Sequence, residues 1–133
     1  MALKDFSTRS RVLAREASSG KFPGISPEDI KLTWAKRFAG DEISSLVIAK
    51  RTLARRIAKH EVLSLEETDR ALRLARIATE ADRVFANPKK ADLWLRTPLK
   101  SLSGQTPLSL LKSEEGALVV EEILGQIDYG IFV

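Results

Sequence analysis

The stretch between Ser64 and Asn87 constrains this chain more than any other, because its apolar positions recur at the helical period from end to end. Leu74, Ile77, Ala78, Ala81, Val84 and Phe85 fall on one side at about 100° per residue. Ser64-Leu65-Glu66-Glu67 reads as a capping box at its start, and Asn87-Pro88 stops it. Asp69–Arg73 and Arg76–Glu80 are spaced to pair at i,i+4 on the solvent side. A long amphipathic rod must bury its stripe against other elements. No segment elsewhere alternates at period two for long enough to make a strand. The expected fold is therefore all-α.

The remaining punctuation is helical too. Leu3, Phe6, Leu13 and Ala17 give a thin first pattern, expected to form a weakly held helix or arm ending at Ser18-Ser19-Gly20. Ser26 caps and Pro27 opens a second helix, in which Ile30, Trp34 and Phe38 share a face and Gly40 is the expected end. Asp41 opens a short helix with Ile43, Leu46 and Val47 inward. Another short helix runs from about Lys50 to His60. After the long helix come Lys89 to Leu95, a turn from Thr106-Pro107 to Leu111, and a last helix from Glu114 to Asp128. Ser113 starts that helix and Gly130 ends it; Val119, Val120, Ile123, Leu124 and Ile127 form its stripe. Trp34, Leu53, Leu74 and Phe85 are expected in the core.

Charge divides the chain. Residues 1–63 carry a net charge of +6, and residues 64–133 carry −2. A basic front half is what a phosphate-binding surface requires. Within it, Arg51, Arg55 and Lys59 fall in one narrow sector of a helix with Thr52 beside them, and Leu53 and Ile57 lie opposite. A short helix precedes, joined by Ile48-Ala49-Lys50. This is the pattern of a helix-turn-helix, whose second helix enters the major groove. Lys50, Arg51, Thr52, Arg55, Arg56 and Lys59 are thus the candidate DNA-binding residues, with the arginines suited to guanine edges and Arg56 and Lys59 to phosphates. The competing reading is a solvated basic face on an ordinary surface helix. Since one such motif reads a half-site, a homodimer is expected.

Chemistry is poorly served. His60 is the single histidine and there is no cysteine, so neither a thiolate nor a two-histidine metal site exists, and no glycine-rich phosphate loop occurs. Glu66-Glu67 and Glu114-Glu115 sit in helix first turns, where acids are favoured without any catalytic role. No catalytic, metal or cofactor residue is assigned, and no enzyme activity is expected. No apolar run approaches the ~18 residues of a membrane span, and no secretory h-region is evident. With cysteine absent, a cytoplasmic location is expected.

Beyond residue 93 a set of motifs becomes specific in combination: Trp94-Leu95, Thr97-Pro98, Leu102, Gly104-Gln105-Thr106-Pro107, Leu110-Leu111, Gly116, Val120, Leu124, Ile127 and Gly130. Their order and spacing resemble the C-terminal domain of antitoxins of the Xre/MbcA/ParS family. Arg51-Thr52-Leu53-Ala54-Arg55-Arg56 and Leu63-Ser64-Leu65-Glu66-Glu67-Thr68-Asp69-Arg70 are similar to that family's recognition helix and long-helix start. The resemblance covers about residues 25–133. It implies an N-terminal helix-turn-helix (1–63), then a long connecting helix and a small C-terminal helical toxin-binding domain (64–133). It further implies an antitoxin that blocks the active site of a RES-domain, NAD-degrading toxin and represses its own operon by binding operator DNA. Leu99, Leu102, Ile127, Tyr129, Ile131, Phe132 and Val133 are the expected toxin contacts, because an aromatic, apolar tail makes a poor exposed surface and a good anchor. The alternatives are that the tail folds onto its own core, and that the chain is a stand-alone helix-turn-helix regulator without a toxin.

Overall fold

In a computed structural model of the chain, residues 2–19 and 24–130 are described. They are all-α: α1 (Ala2–Ser18), α2 (Pro27–Leu32), α3 (Gly40–Leu46), α4 (Lys50–Ala58), α5 (Leu65–Phe85), α6 (Pro88–Leu95) and α7 (Glu114–Asp128). Short 3-10 turns cover Trp34–Lys36, Lys100–Leu102 and Leu108–Lys112. The chain divides into two compact units, Met1–Ala75 and Arg76–Val133, with the division inside α5.

The first unit is built around Trp34, which is fully buried and donates its indole N–H to the carbonyl of Ala71 at 3.1 Å. Phe6 meets Trp34 edge-on at 5.5 Å between centroids and Phe38 at 5.8 Å. The Arg37 guanidinium sits 5.4 Å from the Phe6 ring. Phe6, Ser10 and Leu13 are buried, so α1 is a packed element rather than a loosely held arm. Its buried apolar residues are few, but Phe6 and Leu13 fall two turns apart on one side, and Phe6 joins the aromatic cluster. The Ser26 hydroxyl accepts from the Asp29 N–H, as a cap should. The helix it opens stops early, however. After Leu32 the chain tightens into the Trp34–Lys36 turn, and Gly40 begins α3 instead of ending α2. Ile30, Trp34 and Phe38 are buried regardless, since a 3-10 turn keeps them on the same side.

The start of α5 is fixed by its own cap and receives polar ties from α3 and α4. Glu67 accepts from the Ser64 N–H at 2.8 Å while its own N–H donates to the Ser64 hydroxyl at 3.2 Å, completing the capping box. The same carboxylate receives Arg56 Nε at 2.8 Å and Nη2 at 3.2 Å. Arg70 Nε donates to the carbonyl of Val47, the C-cap of α3, at 2.8 Å. Burial works to raise the Glu67 pKa, but the hydrogen bonds from Arg56 and Ser64 and the Arg56 charge outweigh it and hold the carboxyl below the usual range.

In the second unit, Leu95, Leu108, Leu111, Ala117, Val120, Ile123 and Leu124 are buried with Ile77, Ala78 and Ala81 of α5. Phe85 is only half-buried and stacks obliquely on Trp94 at 5.5 Å, so it rims this core instead of filling it. Leu53 is likewise half-buried. Arg76 does not pair with Glu80; it reaches Glu114 at 2.9 Å and Glu121 at 3.3 Å, and Glu80 pairs with Arg83, which also holds Asp128 at 2.9 Å. Arg76 thus takes only tertiary carboxylates, whereas Arg83 joins an intrahelical partner to a tertiary one; an intrahelical pair alone contributes only a few tenths of a kcal/mol. Val119 is exposed, because it lies at the flank of the Val120–Leu124 stripe. Asn87, which ends the α5 pattern, accepts from the N–H groups of Lys89 and Lys90 and so caps α6. Ser113 caps α7, and Gly130 follows its end at φ +80°. At Gly116, a Cβ would come within 1.9 Å of the Leu110 carbonyl oxygen, so α7 lies directly on the backbone of the preceding turn.

Two outcomes test this packing. Gly116→Ala forces α7 off that carbonyl and should lower stability by about 1–3 kcal/mol in urea unfolding, as overpacking does, while Leu74→Ala should cost about 2–5 kcal/mol through its cavity. Glu67 has a depressed folded pKa, so its contribution is present above the unfolded value of about 4.3 and is lost as pH falls through the folded value. Glu67→Gln should therefore flatten the acid limb of the stability curve below about pH 4.3, measured by denaturation at a series of pH values.

Candidate functional site

Two surfaces collect the residues that the sequence singles out. The first is α4. Ala49 offers no side-chain cap, and Lys50, Arg51, Arg55 and Lys59 stand exposed, with Thr52 half-buried beside them. Arg51, Arg55 and Lys59 form no ion pair with a described residue. Arg56 differs: its side chain is 18% exposed and is held by Glu67 and, at 3.3 Å, by Glu61. Those carboxylates raise its pKa, chiefly through the Glu67 hydrogen bond. The structure therefore brings together Arg51, Arg55 and Lys59 and turns Arg56 toward α5. The connection from α3 to α4 is Val47, Ile48 and Ala49, with Val47 and Ile48 buried. His60 follows α4 in the left-handed region at φ 55° and is exposed, where it ends the helix.

Between α2, α3 and α4 lies an open, mainly apolar groove of about 510 Å³, lined by Ile30, Ala35, Gly40, Ile43, Ile48 and Leu53 with Lys31, Asp41, Ser44 and Lys50. Leu53 lines it, which accounts for its partial exposure.

The second surface belongs to the Arg76–Val133 unit. Leu99 and Leu102 are half-buried in a loop that closes on itself: Leu102 and Gly104 donate to the Leu99 carbonyl at 3.1 and 2.9 Å, and Leu99 donates to that of Gln105 at 3.1 Å. Ile127 is half-buried on α7, and Tyr129 is 85% exposed. Ile131, Phe132 and Val133 lie outside the described residues. Reading the apolar stripe alone passed over Leu93 on α6 and Leu118 on α7, which are 71% and 56% exposed. Their signal was available, since both are large apolar residues that fall off the buried side of their helices. Among the described residues no cluster of acids and histidine is arranged to hold a metal, and no helix is long and apolar enough to cross a membrane.

Comparison with known proteins places these surfaces in context. Residues 80–130 match the family model of the antitoxin Xre/MbcA/ParS C-terminal toxin-binding domain. The chain is 40% identical over 84 residues to an "Antitoxin Xre" of Pseudomonas putida, covering 63% of this chain and 53% of that protein, about half its length. It is 34% identical over 100 residues to an "Antitoxin Xre" of Yersinia enterocolitica, covering 74% of this chain and 68% of the relative. A "Prs ADP-ribosylating antitoxin" of Sphingobium sp. is 29% identical over 120 residues, covering 82% and 76%. With its all-α architecture, a C-terminal unit coextensive with a toxin-binding domain, and relatives matched across both units, the chain belongs to the Xre/MbcA/ParS family of antitoxins of toxin–antitoxin systems.

Proposed function

We propose that this antitoxin neutralises a RES-domain toxin that degrades NAD, by seating its C-terminal unit over the toxin's active-site entrance, and that it represses its own operon through α3 and α4. The observation that carries the first part is the span of the toxin-binding model, residues 80–130, over nearly all of the Arg76–Val133 unit. The Sphingobium relative's name adds weight, since ADP-ribosyl transfer draws on NAD. On this reading Leu99, Leu102, Ile127 and Tyr129 contact the toxin, together with the apolar end Ile131, Phe132 and Val133. On this reading neutralisation works by occlusion and is stoichiometric and reversible; among the described residues no cluster of acids and histidine is arranged to hold a metal.

The DNA-binding part rests on the exposed cations of α4. On this reading Lys50, Arg51, Thr52, Arg55 and Lys59 meet base edges and phosphates of an operator, which the exposure of the four cations supports. Arg56, engaged by Glu67, serves this surface by fixing α4 rather than by touching phosphate. A homodimer supplies the second half-site, and the protein acts in the cytoplasm.

Co-expression of the full chain with the protein encoded by the adjacent gene, followed by growth and NAD measurement, tests the leading claim. Restored growth and preserved NAD are expected at equimolar expression. Continued NAD loss in the presence of a folded chain would leave a stand-alone regulator as the better reading. Arg55→Glu should abolish operator binding in a gel-shift assay and leave neutralisation intact, and loss of one phosphate contact should flatten the log–log salt dependence by about one unit. Deleting Tyr129 to Val133 should do the reverse, weakening protection while operator binding survives, because a few apolar and aromatic anchors carry most interface energy.

A further inference from the structure

We infer that the toxin seats on the outer side of α7, along Leu118, Glu122, Gly125 and Tyr129, with Gly125 admitting the toxin's backbone to the helix surface. The inference rests on the toxin-neutralising reading above and assigns it a surface, in which Leu118, Glu122 and Gly125 take the place on α7 of Ile127, which lies on the same side as the buried Ile123 and Leu124.

At 100° per residue these four residues share one narrow sector of α7, opposite the buried Val120, Ile123 and Leu124. Leu118 is 56% exposed and Tyr129 is 85% exposed, so two large apolar side chains flank the position of Gly125. The two glycines of α7 differ in kind. Gly116 is demanded from within, by the Leu110 carbonyl, whereas a Cβ on Gly125 would meet nothing within 4 Å. A glycine within a helix is unfavourable relative to alanine, and no packing against a described residue requires this one. An outside surface that approaches the bare backbone does.

The acids of α7 divide in the same way. Glu114 and Glu121 are taken up by Arg76, and Asp128 by Arg83. Glu115 and Glu122, toward the outer side, are exposed and make no ion pair with a described residue. The outer side thus offers apolar anchors flanking a flat site, with carboxylates alongside. It complements a protein surface that is apolar at its centre and basic at its rim. The toxin is the occupant because the toxin-binding model, residues 80–130, includes the whole of α7.

The test uses the full chain and the purified product of the adjacent gene in a calorimetric titration. Gly125→Ala should raise the Tm of the free chain by about 3 °C, as a helix-stabilising change does, and should not tighten binding. Gly125→Leu should weaken binding about tenfold or more without lowering the Tm of the free chain. Leu118→Glu, at an exposed position, should weaken binding to a similar degree, and Arg55→Glu on α4 should leave it unchanged. If Gly125→Leu lowers the Tm, Leu118→Glu and Tyr129→Ala decide. Wild-type binding retained within about twofold by the Leu118 and Tyr129 variants overturns this surface and leaves the neutralising function standing. Failure of the wild-type chain to bind the adjacent product overturns both.

Discussion

The carboxylate of Glu67 is where the Met1–Ala75 unit is tied together. It accepts the Ser64 N–H, and so starts α5, and it also accepts two N–H groups of Arg56 from α4. A carboxylate placed there is favoured by the positive end of the helix dipole and by charge-assisted hydrogen bonds. The placement of α4 is thus coupled to the start of α5. One turn further along α5, Arg70 reaches the carbonyl of Val47 and the Ala71 carbonyl receives the Trp34 indole. A single turn-and-a-half of α5 therefore organises the aromatic cluster, the α3 C-terminus and the exposed cations of α4.

Much of this was legible in the sequence because it is local. Ser26, Ser64 with Glu67, Ser113 and Gly130 act over three or four residues, and each stands where the pattern placed it. The all-α class followed from the same periodicity. What depended on partners far along the chain was not legible. Arg76 has an in-register Glu80 but binds Glu114 and Glu121, which are 38 and 45 positions away. Gly40 reads as a helix stop in any local scheme, yet the chain tightens earlier and uses it as a start. Leu53 and Phe85 satisfy the helical pattern, but their helices present them to a groove and a rim.

For the candidate sites the division is similar. The i, i+4 spacing of Arg51, Arg55 and Lys59 was enough to put them on one exposed side. The same spacing could not distinguish Arg56, whose partner Glu67 lies beyond a helix end and a turn. On α7, stripe counting located the buried Val120, Ile123 and Leu124. It was silent about Gly125, where a Cβ would meet no described residue within 4 Å.

No residue of α4 is fully buried. Leu53 and Ile57 are half covered, and the firmest attachment of the helix is polar. Cooperative opening of a segment scales with the apolar contact that it gives up, so α4 belongs to the low-energy end of the native ensemble and the buried stretch of α5 to the high end. Its amides should exchange with solvent through local opening while those around Leu74 wait for global unfolding. The most cationic helix in the chain is therefore also one whose order an anionic surface has room to improve.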